Sequence, residues 1–272
     1  LYQVIDSGCG RKLEQFEDYI IDRPCAQAFW PKVLDETVWQ RAMAIFQREN
    51  ESCWQYKGSK RDTFITKYFK YNFKIKFTDF GHIGLFPEHK KTWELVEEHT
   101  TSSDNILNLF GYTGGATIAA LSKGAAVTHV DASQKINDQA KENIKLNGLD
   151  LNKVRWITDD VLKFLKREQK RNNSYSGIIL DPPTFGRGTK GEVFKIEKDI
   201  NSLLQLILAV SAKALKYIIF TCHTPGFTGK VLENLLTFHT KGLKGKIFSG
   251  ELLIESNTFF IPSGSISYFV KK

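Results

Sequence analysis

Four short segments hold residues whose types and spacing could do chemistry. Asn108-Leu109-Phe110-Gly111-Tyr112-Thr113-Gly114-Gly115 is a glycine-rich turn at the end of an apolar run. Glycines there let the backbone approach a ligand closely and accept positive φ. A helix starting at that point would aim its first amides at the same spot. Asp131 closes a second apolar run, and a carboxylate so placed can accept both hydroxyls of a ribose. Asp159 and Asp160 follow a third run, where an acid can accept from an adenine amino group. Asp181-Pro182-Pro183-Thr184-Phe185 follows a fourth, a rigid turn that offers a carboxylate, carbonyls and an aromatic ring.

These segments need strands to carry them and helices to return the chain. From Asn105 onward the pattern alternates accordingly. Strands are expected over 106–110, 125–130, 154–157, 177–180 and 217–222. Between them fall an Ala-rich helix to about Lys123 and a helix capped by Ser133, with Ile136, Ala140 and Ile144 on one face and Gly148 after its end. Further helices are expected through Phe164 and Leu165, from Ser202 to about Ala214, and near 231–238. Leu252-Leu253-Ile254 and Tyr268-Phe269-Val270 read as closing strands. The alternation predicts right-handed crossovers and an α/β fold, a Rossmann-like, doubly wound, mostly parallel sheet. In such a sheet ligands bind beyond the carboxyl ends of the strands, where the four segments lie. No G-x-G-x-x-G is present, which favours a nucleoside with a short charged tail over a dinucleotide.

The first part reads differently. It holds Trp30, Trp39, Trp54 and Trp93 and several β-prone runs, among them 63–69 and 73–77. Asp35 is placed to cap a helix running to about Gln47. The expected division is a small mixed, β-rich, substrate-facing domain over 1–100 and a ligand-binding domain over 101–272.

Composition sets the surroundings. Lys and Arg number 38 against 30 Asp and Glu, a formal charge of +8, and such a surplus favours a polyanionic partner. The four cysteines, Cys9, Cys25, Cys53 and Cys222, form no CxxC pair and no zinc-ligand spacing, so free thiols and no metal are expected. No apolar run approaches a membrane span. The N-terminus does not read as a signal peptide, the missing initiator Met suggests a trimmed chain, and the cytoplasm is the expected compartment.

Residues 105–225 resemble the class I S-adenosylmethionine-dependent methyltransferases. Asn108 to Gly115, Val130-Asp131-Ala132-Ser133 and Ile179-Leu180-Asp181-Pro182-Pro183 resemble the bacterial 23S rRNA cytosine-C5 methyltransferases and their relatives. The likeness reaches upstream to Gly84-Leu85-Phe86-Pro87-Glu88-His89 and downstream to Gly186–Glu192, roughly two thirds of the chain. It implies S-adenosylmethionine as cofactor, bound by Asn108, Phe110, Gly111, Tyr112, Thr113 and Gly114, with Gly111, Thr113 and Gly114 at the methionine end. Asp131, with Ala132 and Ser133 beside it, would hold the ribose. Asp160, with Asp159 as neighbour, would hold the adenine, and Asp181 and Pro182 would flank the sulfonium. His89 stands where relatives tend to carry Gln, and a neutral imidazole can still donate a hydrogen bond.

Two chemistries remain open. The rRNA enzymes resembled carry a Cys in a Ser-Cys-Ser turn after the fifth strand, where this chain has Thr221-Cys222-His223. Cys222 would then add to a pyrimidine C6, with His223 helping to ionise it. The alternative for Cys222 is a small apolar residue at a strand end. The rival chemistry is transfer to nitrogen, with Asp181 and the Pro182 turn polarising an amine and Phe185 stacking on a flipped base.

RNA, with rRNA foremost, is the expected partner. Residues 60–76 interleave Lys60, Arg61, Lys67, Lys70, Lys74 and Lys76 with Phe64, Tyr68, Phe69, Tyr71 and Phe73. An ordinary hairpin, aromatics inward and lysines solvated, explains that pattern equally. Lys163, Lys166, Arg167, Lys170 and Arg171 read as a solvated helix face, and Arg187–Gly191 as a basic, glycine-containing lid. Other readings are methylation of a protein or small molecule, and an RNA-binding protein that retains the scaffold without catalysis. Oligomeric state and acceptor atom stay open.

Overall fold

A computed structural model describes residues 1–47, 53–58, 60–188, 191–211, 213 and 215–272. The chain divides into two compact units, Leu1–Glu88 with Leu253–Ser263, and His89–Leu252 with Gly264–Lys272.

The first unit opens with an antiparallel meander, β1 (Tyr2–Gly8), β2 (Arg11–Phe16) and β3 (Tyr19–Pro24). A single helical turn, α1 (Glu36–Trp39), precedes β4 (Ala44–Gln47), which lies parallel to β3 and pairs with β5 (Cys53–Tyr56). Leu13, Phe16, Tyr19, Ile21 and Phe46 are fully buried here. The expected helix from Asp35 to Gln47 is corrected. Val38, Trp39 and Ala42 mimic a helical stripe, but burial alternates along 44–47 with the period of a strand. Asp35 makes no side-chain cap. The turn is instead gathered by buried Asp6, whose carboxylate accepts from Leu34 N and from Trp39 Nε1, both at 2.9 Å. Glu14 is also buried. Burial alone would raise its carboxyl, but Arg23, bidentate at 2.7 and 2.9 Å, and Lys12 override this and hold it at about 2.

The tip of the last hairpin returns to this unit. Val4 bridges Ser256, and Asp6 accepts a 3.3 Å hydrogen bond from Thr258. β6 (Thr63–Tyr68) and β7 (Tyr71–Lys76) pair antiparallel. Tyr68, Tyr71 and Phe73 are buried, Lys67 and Lys76 are exposed, and Arg61 pairs with Asp18 at 2.7 Å. These three aromatics are core, as in an ordinary hairpin, while Phe64 and Phe69 are partly exposed.

The second unit begins with α2 (Lys90–His99). Its chain then runs β8 (Asn105–Leu109), α3 (Gly115–Ser122), β9 (Ala126–Asp131), α4 (Gln134–Leu146), β10 (Val154–Thr158), α5 (Val161–Lys170) and β11 (Gly177–Leu180). A short antiparallel pair follows, β12 (Phe185–Arg187) and β13 (Val193–Lys195). Next come α6 (Ile196–Ala209), β14 (Tyr217–Cys222), α7 (Gly229–His239), β15 (Gly245–Ile254) and β16 (Ile261–Lys271). The sheet order is β10-β9-β8-β11-β14-β16-β15. Its first five strands are parallel, and β16 is antiparallel to β14.

Every residue of β11 and β14 is buried, as expected of strands covered on both faces. Ser133 caps α4 by accepting from Ile136 N, and Gly148 follows it at φ 65°. The long helix α6 starts earlier than Ser202, at Ile196, because buried Ile196 and Ile200 extend its apolar face, and it ends at Ala209. Ala212 and Ala214 lie outside the described residues, as do Thr189 and Lys190 of the expected lid. The chain winds outward from β8 to β10, then returns to the other side at β11. The β8/β11 boundary is therefore the switch point where such sheets open a binding crevice.

Candidate active site

The turn after β8 is built on unusual backbone. Phe110 and Tyr112 take φ of 56° and 47°, and Gly114, at φ 90°, is the N-cap of α3. A Cβ on Gly111 would meet the His129 ring at 2.4 Å, so only glycine lets the chain pass there. That ring is fully buried, and burial depresses its pKa to about 4, which keeps it neutral. Thr117 Oγ1 joins His129 Nδ1 at 2.8 Å and accepts from Asn108 Nδ2 at 2.9 Å. Asn108 is thus turned onto α3 and supports the turn from beneath. Thr113 is buried, and its carbonyl accepts from Asn143 Nδ2 at 2.9 Å.

Asp131, at the end of β9, accepts from Tyr112 N at 3.1 Å and from Ser133 N at 2.9 Å. It therefore ties the turn to the start of α4, with half-buried Ala132 between it and Ser133. Burial raises its carboxyl, and each oxygen keeps a lone pair for a ligand hydroxyl. After β10, Asp160 caps α5 by accepting from Lys163 N at 2.9 Å. Asp159 accepts from Asp160 N and pairs with Arg167. Both acids thus do local structural work.

Asp181 is the centre of a polar cluster at the end of β11. One oxygen lies 3.2 Å from His89 Nε2. The other accepts from Thr221 Oγ1 at 2.8 Å and lies 3.6 Å from His223 Nε2. The two imidazole Nε2 atoms are 3.4 Å apart. Burial alone would raise the Asp181 carboxyl, but His223 and His89 override it and hold it far below the usual carboxylate range. Pro182 is buried, and Phe185 is 47% exposed beneath the Arg187 guanidinium. A Thr184–Thr224 hydroxyl bond of 2.8 Å pins this turn to the segment after β14.

Cys222 faces elsewhere. It is 1% exposed and sits in the core with Leu232 and Leu236. Burial pushes its thiol pKa up, although Sγ accepts from Thr224 N at 3.4 Å. A thiol so buried and so averse to ionising is poorly set up for attack, and the small-apolar alternative fits this geometry. Sequence reasoning tied His223 to Cys222 and overlooked Thr221. The signal was the strand pairing, since the Leu180↔Phe220 register puts Asp181, just after β11, beside Thr221 in β14.

The sequence profile of the S-adenosylmethionine-dependent methyltransferase family matches residues 38–222. The chain belongs to this family. A solved S-adenosylmethionine-dependent methyltransferase from Agrobacterium tumefaciens superposes with a TM-score of 0.95 at 35% identity, over 100% of this chain and 90% of that one. Ribosomal RNA large subunit methyltransferase K/L of Pseudoalteromonas atlantica is 33% identical over 178 residues, 64% of this chain and 25% of that protein. Ribosomal RNA large subunit methyltransferase K of Neisseria meningitidis is 28% identical over 204 residues, 74% of this chain and 57% of that protein. The chain thus spans less than two thirds of the length of these curated relatives. Family membership brings S-adenosylmethionine as the cofactor, and the residues present fit it. α3 presents its N-terminus, at Gly114, without a side-chain cap, and the half-buried Asp131 carboxylate suits a pair of hydroxyls.

Proposed function

We propose that this methyltransferase methylates a nitrogen of a base in RNA, with large-subunit rRNA as the substrate. The observation that carries this reading is Asp181, an ionised carboxylate held by Thr221 and two imidazoles at the end of β11, while Cys222 is buried in the core. A carboxylate there accepts a hydrogen bond from an amine and raises the electron density on its nitrogen. The Pro182 turn fixes the geometry, and half-exposed Phe185 offers a face for a flipped base. When bound, S-adenosylmethionine supplies an electrophilic methyl group on a sulfonium. Gly111, Thr113, Gly114 and Asp131 would hold it, with Asp131 on the ribose, and His223 or His89 would take the proton that the acceptor nitrogen loses.

Support for RNA comes from the charge of +8 and from the names of the curated relatives. In this reading residues 1 to about 100 meet the RNA, and the enzyme works in the cytoplasm. Among the described residues no helix is long and apolar enough to cross a membrane.

The test is transfer of labelled methyl groups from S-adenosylmethionine to purified rRNA, tRNA and total cell protein, followed by nucleoside mass spectrometry. Label on a base nitrogen of large-subunit rRNA is the expected outcome. Label on protein alone would move the substrate to another class. Cofactor binding without transfer to any acceptor would favour a scaffold that binds RNA without catalysis.

A further inference from the structure

We propose that His89, Asp181 and His223 form a binding site for a divalent first-row transition cation of the zinc type. Each residue offers one ligand atom, and these atoms all lie within 4.8 Å of one another. Both imidazoles turn Nε2 to the same carboxylate, at 3.2 and 3.6 Å, and the two nitrogens are 3.4 Å apart.

The distances discriminate between two accounts. An imidazolium hydrogen-bonded to a carboxylate closes to about 2.7–2.9 Å, shorter than either contact here. A tetrahedral zinc ion with ligand bonds of about 2.0–2.2 Å separates its ligand atoms by about 3.3–3.6 Å. The His223 Nε2–Asp181 Oδ1 and His89 Nε2–His223 Nε2 separations, 3.6 and 3.4 Å, fall on that scale, and His89 Nε2 lies just inside it, 3.2 Å from the other carboxylate oxygen. Imidazole nitrogen and carboxylate oxygen are also the donors that zinc takes, and a set of three leaves a coordination position open for water or a substrate atom.

The surroundings of the ligands agree. Ligating histidines are commonly oriented through their second ring nitrogen, and His89 Nδ1 lies 3.5 Å from Thr92 Oγ1. Asp181 is oriented by the Thr221 hydroxyl at 2.8 Å. His223 is seated by Gly264, where a Cβ would lie 2.8 Å from Nδ1, and whose φ of 140° already favours glycine. The ligands come from the start of α2, the end of β11 and the end of β14, which is why no ligand spacing is visible along the chain. The site shares Asp181, His89 and His223 with the proposed transfer, and an ion there would occupy the imidazole nitrogens that would otherwise take the proton, but occupancy by an ion is measured without turnover.

The experiment is titration of chelator-treated full-length protein with Co²⁺, read by visible absorption, followed by competition with Zn²⁺. One equivalent of Co²⁺ should give the intense bands of a low-symmetry, near-tetrahedral ion, and Zn²⁺ should remove them. His89→Ala and His223→Ala should each weaken binding by at least about tenfold, whereas His99→Ala, outside the cluster, should not. Should an alanine variant melt early, His89→Gln and His223→Gln keep most of the volume and remove the imidazole. Failure of the wild-type protein to bind either ion at micromolar concentration would overturn the proposal. So would binding that survives in both histidine variants.

Discussion

The Thr221 hydroxyl donates a 2.8 Å hydrogen bond to the Asp181 carboxylate, linking the end of β14 to the end of β11. This contact fixes the rotation of the carboxylate. We predict that Thr221→Val, which keeps the shape and removes the donor, lowers kcat by about tenfold, the scale of one hydrogen bond to a charged group. Affinity for S-adenosylmethionine should change little. A kinetic split in the opposite sense, with kcat intact and cofactor binding weakened, would take Asp181 out of the transfer step.

Asp131 anchors Tyr112 and Ser133 through their amides and is raised by burial. Asp131→Ala is predicted to weaken S-adenosylmethionine binding by about ten- to a hundredfold, because two hydroxyls lose a charged acceptor. Calorimetric titration checks this, and unchanged affinity would remove the ribose assignment. NAD, titrated in parallel, should not bind.

Cys222 is core, so Cys222→Ala should lower stability by about 1 kcal/mol, the cost of a small vacancy. Methyl transfer by the folded variant should persist. Complete loss of turnover with an unchanged melting curve would restore the covalent route and a pyrimidine carbon as acceptor.

Glu168 gives a pH dependence with a definite sign. Burial would raise its carboxyl, but hydrogen bonds from Arg155 at 2.8 and 2.9 Å, Tyr175 at 2.6 Å and Asn173 at 2.9 Å override this and hold it at about 2. A group whose folded pKa is depressed adds stability above its unfolded value, and that stability is lost as pH falls toward the folded pKa. For Glu168 the window runs from the ordinary carboxyl value of 4.5 down to about 2. Glu168→Gln should therefore lower the Tm near neutral pH by about 3–8 °C. The gap to wild type should narrow on acidification through that window. A gap independent of pH would mean that the ionised form of Glu168 carries none of this stability.

What could be read from the sequence follows how local its cause is. Gly177–Leu180 and Tyr217–Cys222 were legible to the residue, because continuous apolar runs bounded by turn signals belong to strands covered on both faces. The four strand-end segments were legible for the same reason, each lying at the end of such a run. Ala44–Gln47 was not, because its strand character comes from pairing with β3 and β5, while the residues before it imitate a helix. Nor was the Asp181 cluster, since His89, Thr221 and His223 reach one carboxylate from elements that only the strand order makes neighbours. Asp160 shows the converse. A strand-end acid looks the same in sequence whether or not it also closes the first turn of the following helix, as Asp160 does for α5.

The return of the last hairpin's tip to the first unit has a consequence for synthesis. Asp6 and Thr258 are partners 252 residues apart, and Val4 bridges Ser256. At a translation rate of about 5–20 residues per second, β1 waits roughly 10–50 s for its last contacts. By then all five parallel strands of the second unit have left the ribosome. Until then β1 has only β2 as a strand partner, and the contacts from Ser256 and Thr258 close that edge last within the first unit.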